Sequence, residues 1–196
     1  MKKALKILLF TDACFLFAAG LIGPIYAIFV EEIGGDILDA GWAWAVFMLT
    51  SGIVIFVLSR WENKVQHYEQ MVIGGSALRS IALFSYLFVG SPAQLFMAQA
   101  LLGLGQAVTV PAYDTLFTKS LDKGKEASQW GNWESMYYIV TAVSAVAGSA
   151  IAATFGFKVL FAAMFGISIM GLITAIQLAA RARQPVPAPV RAGRGK

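Results

Sequence analysis

The chain has 196 residues, 58% hydrophobic and 13% charged, with a net charge of +4. A soluble domain carries about a quarter charged residues, so this composition excludes an ordinary water-soluble fold and makes lipid the solvent. One cysteine (Cys14) and one histidine (His67) exclude a disulfide framework, a thiolate cluster and a self-sufficient zinc site, so neither metal nor cofactor is expected. The positive charge would suggest nucleic acid in a soluble protein; here it fits basic loops at a membrane surface, and no nucleic-acid partner is expected.

In chain order, Lys2, Lys3 and Lys6 precede a long apolar run. Asp12 interrupts that run, which is also too long for a signal peptide, so it reads as an uncleaved first span over 6–30. The acidic turn Glu31–Asp39 leads to a second span at 40–58, and the polar, basic-aromatic stretch 59–69 suits a membrane interface. A third span covers 70–89. Gly90-Ser91-Pro92 then forms a turn, because proline starts helices well and ends them badly. The fourth span is 93–118, followed by the loop Lys119–Ser128. The fifth is 129–154, and a turn at Gly156–Lys158 precedes the sixth at 159–180. At ~1.5 Å per residue each can cross ~30 Å of hydrocarbon. The expected fold is all-α: a polytopic membrane protein of six transmembrane helices, with a disordered, basic, Pro-rich tail at 181–196.

Six spans place both termini on one side. The termini and the loops after the second and fourth spans hold 13 of the 15 lysines and arginines, while the opposite loops hold Glu31, Glu32, Asp36, Asp39 and Lys158. The positive-inside rule therefore puts both termini in the cytoplasm of a plasma (inner) membrane protein.

Four ionisable residues lie within the spans: Asp12, Arg79, Asp114 and Glu134. Counted from the cytoplasmic helix ends at ~1.5 Å per residue, the acids sit about 7–9 Å deep and Arg79 about 15 Å, within reach by snorkelling. Intramembrane charges are costly and usually paired, cavity-facing and functional; an Arg–carboxylate staple between helices is the purely structural alternative. Arg79 can satisfy about one acid with a bidentate pair. Asp114, nearest the rim, is expected to be that partner, which leaves Asp12 and Glu134 as proton carriers. Polar residues also recur at helical spacing: Gln99, Gln106 and Tyr113 in the fourth span; Asp12, Ala19 and Tyr26 in the first; Glu134, Tyr137 or Tyr138, and Thr141 in the fifth. Such faces point at protein or at a water-filled cavity rather than at lipid.

Gly103, Gly105, Ala107, Pro111 and Ala112 resemble the Gly-rich run in the fourth helix of major facilitator superfamily transporters. Gly20-Leu21-Ile22-Gly23-Pro24-Ile25 and Gly74-Gly75-Ser76-Ala77-Leu78-Arg79 are similar to runs in that family's first and third helices. The likeness covers about 6–180, one six-helix half of a twelve-helix transporter. Val57–Lys64 stands where the family carries an Asp-Arg-x-Gly-Arg signature, but the Asp and both glycines are absent. The resemblance implies a half-size transporter; the acids left over beside Arg79 can exchange a proton for a cation, so a small cationic or amphiphilic molecule, exported in exchange for protons, is the expected substrate. The resemblance also implies that the first, fourth and fifth helices line a central cavity. A parallel homodimer would supply the second half, its axis along the membrane normal. The small residues Ser144, Gly148 and Ala152, at four-residue spacing, are expected at that contact, facing Gly41 and Ala45 by the family's arrangement. A non-transporting assembly subunit is the alternative. An intramembrane aspartyl protease is disfavoured: Tyr113-Asp114 resembles one motif, but Gly103-Leu104-Gly105 ends in Gln106 where the second needs Asp.

Overall fold

The computed structural model describes residues 3–62 and 67–182, and these residues contain helices and connections but no strand. Helix α1 (Lys3–Ile22) and helix α2 (Tyr26–Glu32) form the first span, joined by a 3-10 turn at Gly23–Ile25. The expected single helix is therefore broken where Pro24 enters, since proline brings no N–H to the ladder. The other spans are α3 (Ile37–Glu62), α4 (Tyr68–Ser85), α5 (Pro92–Ser120), α6 (Glu126–Phe155) and α7 (Phe157–Ala182). All six are long and apolar enough to cross a membrane. The sixth helix runs two residues past its expected end; the rest of the expected tail, and Asn63 and Lys64 of the signature position, lie outside the described residues.

Local chemistry sets the helix ends. The Asp36 carboxylate accepts from the N–H groups of Leu38 and Asp39 at 2.8 and 3.0 Å, and Asp39 accepts from the Asp36 N–H at 3.1 Å. This reciprocal cap starts α3. Helix α5 starts on Ser91, whose hydroxyl accepts from Gln94 N–H, with Pro92 in the first turn. Helix α6 stops at Gly156 with φ 80°, a conformation that glycine adopts without strain.

Helix α5 packs along α3 and α4, α1 along α6 and α7, and α4 along α7. Two apolar cores result. Leu21, Val30, Leu83, Leu95 and Phe161 belong to one, toward the acidic-loop end; Leu5, Leu8, Val72, Phe117 and Leu178 belong to the other. Between them, on α1 and α4, lies a polar layer: Thr11, Asp12, Ser76, Arg79 and Ser80. Thr11 and Thr174 share a hydrogen bond across α1 and α7 at 2.9 Å.

Helices α3 and α6 stand apart from this scheme. Only 11% of each apolar span is buried, against 33–44% in the other four. Each packs chiefly on one neighbour, α3 on α5 and α6 on α1. The expected dimer stripe on α6 does not lie on its open face. Ser144 is fully buried opposite Gly20, and Gly148 lies against the Leu21 backbone, where a Cβ would overlap the carbonyl. Ala152 packs on the first core. These small residues bring α6 close to α1 within one chain, so their assignment to a contact between protomers is corrected. Gly41 is exposed with open space around it, and Ala45 is half-buried.

Candidate functional site

Arg79 is the most deeply placed charge, nine-tenths buried on α4. Its guanidinium carbon lies 4.1 Å from the centroid of the Phe15 ring on α1, a cation–π arrangement. The opposite charge acting on it is Asp12, one helical turn before Phe15, but the two form no contact pair among the described residues. Asp12 instead accepts a hydrogen bond from Trp133 Nε1 on α6 at 2.9 Å. Helix α1 thus offers Arg79 a ring from one turn and a more distant carboxylate from the preceding one.

Small residues make room for this arrangement. A Cβ on Gly105 would lie 2.7 Å from Arg79 Cγ and 2.8 Å from its backbone nitrogen, and one on Gly75 would lie 2.8 Å from the Gly105 carbonyl oxygen. Helices α4 and α5 therefore meet backbone to backbone beside Arg79. A Cβ on Gly171 would lie 2.8 Å from Phe15 Cε2, so α7 leaves the space that the ring fills. The glycines of the fourth span are packing positions, and Gly105 also positions the guanidinium stem.

Above this layer lies a cavity of about 310 Å³, walled by α1, α2, α3, α4, α5 and α7. Phe15, Trp44, Phe47 and Tyr86 supply aromatic surface and Met164 apolar surface; among the described residues Arg79 is the only formally charged one in the wall. Tyr26 and Gln99 also line it, with Gln99 Nε2 donating to the Tyr26 hydroxyl at 2.7 Å. Helical spacing had placed these two residues on faces turned to protein or to a cavity, and the fold brings them into one wall.

The other expected site residues separate. Asp114 is exposed, and the charged neighbour acting on it is Asp12, not Arg79. Its assignment as the partner of Arg79 is corrected, because α5 turns that side chain away while α1 carries Asp12 toward α4. Glu134 is exposed on α6 and makes no ion pair among the described residues. Gln106 is half-buried and outside the cavity wall. Tyr113 is buried in the second core, and its hydroxyl has no hydrogen-bond partner among the described residues. Thr141 faces α1 near Gly20. Tyr137 and Tyr138 end an aromatic ladder of successive contacts, Phe117–Trp130–Trp133–Tyr137–Tyr138, with centroids 4.6–6.2 Å apart.

Phe15, Trp44, Phe47 and Trp133 did not stand out in the sequence, since an aromatic in an apolar helix reads as core or lipid contact. Trp133 had one available signal. A buried carboxylate needs a donor, and an indole N–H adjacent to Glu134, on a helix expected to face Asp12, can supply it.

Six apolar helices around a buried cation and an aromatic cavity define a polytopic membrane protein with an internal cavity. The sequence profile of the Major Facilitator Superfamily matches residues 8–196, and the chain belongs to that family. It is 24% identical over 145 residues to the uncharacterized MFS-type transporter YitZ of Bacillus subtilis (strain 168), covering 74% of this chain and 88% of that protein. It is 26% identical over 160 residues to the multi-drug resistance efflux pump PmrA of Streptococcus pneumoniae, covering 79% of this chain but 39% of the pump. The multidrug resistance protein MdtG of Yersinia enterocolitica is 24% identical over 163 residues, with 81% and 39% covered. The chain thus spans well under half the length of the efflux pumps it matches.

Proposed function

We propose that the chain is a six-helix transporter unit that pairs with a second copy in the plasma membrane and exports a small amphiphile in exchange for protons. The observation that carries this reading is the pair of uncovered helices, α3 and α6, beside the exposed acids Asp114 and Glu134. Two such units, facing each other around an axis along the membrane normal, would cover both helices and enclose the acids. The efflux pumps among its relatives support the outward direction.

In this reading Asp12 and Glu134 carry protons. The side chain of Asp12 is held by Trp133 at the inner end of the helices, and Glu134 stands one residue further along the same helix. A thermal-shift screen of the purified protein identifies an amphiphile that binds; that compound should then drive proton flux in proteoliposomes. Absence of substrate-dependent flux, together with loss of one partner protein on deletion of this chain, would favour the assembly-subunit reading.

The dimer makes a separate expectation. Leu49 on α3 and Val143 on α6 are both exposed and lie equally deep, counted from Ile37 and Phe155. Cysteines at these two positions should cross-link between protomers in membranes. A cysteine at Gly148 should not, because that position is filled by α1. A protein that stays monomeric at every detergent concentration would rule out pairing.

We place both termini in the cytoplasm. Alkaline phosphatase inserted at Gly34-Gly35 should be active, and fused after Lys196 it should be inactive; the reverse pattern would overturn the orientation.

A further inference from the structure

Among the described residues the cavity wall presents one cation and no anion. Arg79 carries five N–H donors in a fixed fork, yet it makes no hydrogen bond and no ion pair among the described residues. Phe15 covers one face of the guanidinium. Asp12 commits an oxygen to Trp133 and lies outside the wall. Ser76 and Ser80, one turn before and one residue after Arg79 on α4, are buried with hydroxyls that have no hydrogen-bond partner among the described residues. A desolvated guanidinium with unused donors is a recognition group lacking its acceptor, because burial removes the water that would satisfy it.

We propose that this cavity binds the anionic end of a small amphiphile, a carboxylate or phosphate-type group held bidentate by Arg79, with its apolar or aromatic body against Phe15, Phe47 and Trp44. The volume, about 310 Å³, suits one compact ring system with a charged group. This deepens the transport reading by assigning the substrate a negative charge. The surplus of acids in the spans pointed to a cation, but none of those acids lines this cavity. Outward movement of an anion and inward movement of a proton shift charge in the same sense, so a membrane potential negative inside drives both.

Binding can be measured without transport. The purified chain in phosphatidylcholine nanodiscs is titrated calorimetrically with 2-naphthoate and with 2-naphthylmethylammonium, which share a body and carry opposite charge, against empty nanodiscs. Naphthoate should bind saturably and at least about tenfold more tightly, the scale of one charge-assisted bidentate pair. Arg79→Gln should abolish the preference. Arg79→Lys, which keeps the charge but not the fork, should weaken naphthoate binding. Equal affinities, a preference for the cation, or unchanged naphthoate affinity in Arg79→Gln would overturn the proposal. Should Arg79→Gln fail to fold, Ala19→Trp fills the cavity from α1 and should remove naphthoate binding; persistence of binding would equally overturn it. Phosphatidylglycerol in the nanodisc separates the two sources of the anion. Competition marks a lipid headgroup as the occupant, its absence marks a free solute, and dependence on Arg79 is required in both. Naphthoate binding without proton flux would refute the transport reading and leave the anion site standing.

Discussion

Gly148→Ala is expected to destabilise the protein by about 3 kcal/mol, the upper end of ordinary overpacking costs, and Gly148→Leu to leave no folded protein in the membrane. The cause is the closeness of α6 to α1. A Cβ at Gly148 would overlap the Leu21 carbonyl oxygen and lie 2.6 Å from Leu21 Cα, and backbone atoms cannot rotate aside as a side-chain tip can. Separating the helices would also open the neighbouring contact between Ser144 and Gly20. Gly166 on α7 is the matched control, because nothing lies within 4 Å of a Cβ built there. Gly166→Ala should be neutral or stabilising by roughly 0.5–1 kcal/mol, the usual gain from replacing a helical glycine. Denaturant titration in mixed micelles compares the two. A Gly148→Ala protein as stable as the Gly166→Ala control would mean that α1 and α6 do not approach this closely.

The second large effect concerns coupling. Asp12→Asn should abolish proton-driven transport while preserving the hydrogen bond from Trp133, since the asparagine carbonyl accepts the same indole N–H. The substitution also removes the opposite charge acting on buried Arg79. Some stability is therefore lost, but less than the ~3–5 kcal/mol of breaking a buried contact pair, because the two groups do not touch. Asp12→Asn/Arg79→Gln should recover that stability and still fail to couple. Glu134→Gln, on an exposed side chain, should leave stability within about 0.5 kcal/mol of the parent and abolish proton-coupled transport. Asp114→Asn should likewise leave stability nearly unchanged, because the acid acting on Arg79 is Asp12. Full proton-coupled transport by Asp12→Asn/Glu134→Gln would refute the assignment of both carriers.

Sequence alone determined the solvent, the number of spans and their approximate limits. Each follows from local hydropathy, from charge runs between apolar stretches, and from turn residues such as Ser91-Pro92 and Gly156. The pairing of Tyr26 with Gln99 was also within reach, because helical spacing puts each on a polar face and polar faces seek each other in lipid. The partner of each special residue was not legible. Ser144 and Gly148 announce that some helix approaches closely, but four-residue spacing is the same whether that helix belongs to the chain or to a second copy. Only the fold shows α1 filling the space. Depth along the helices favoured Asp114, nearest the rim, as the partner of Arg79, but depth carries no information about azimuth. The bundle settled it by turning Asp12 toward α4 and α6 and Asp114 outward. The ring over Arg79 and the indole bound to Asp12 come from residues 64 and 121 positions away in the chain. Such contacts are invisible to local patterning, because crossing geometry, set by the glycines between α4 and α5 and between α1, α6 and α7, decides which side chains meet.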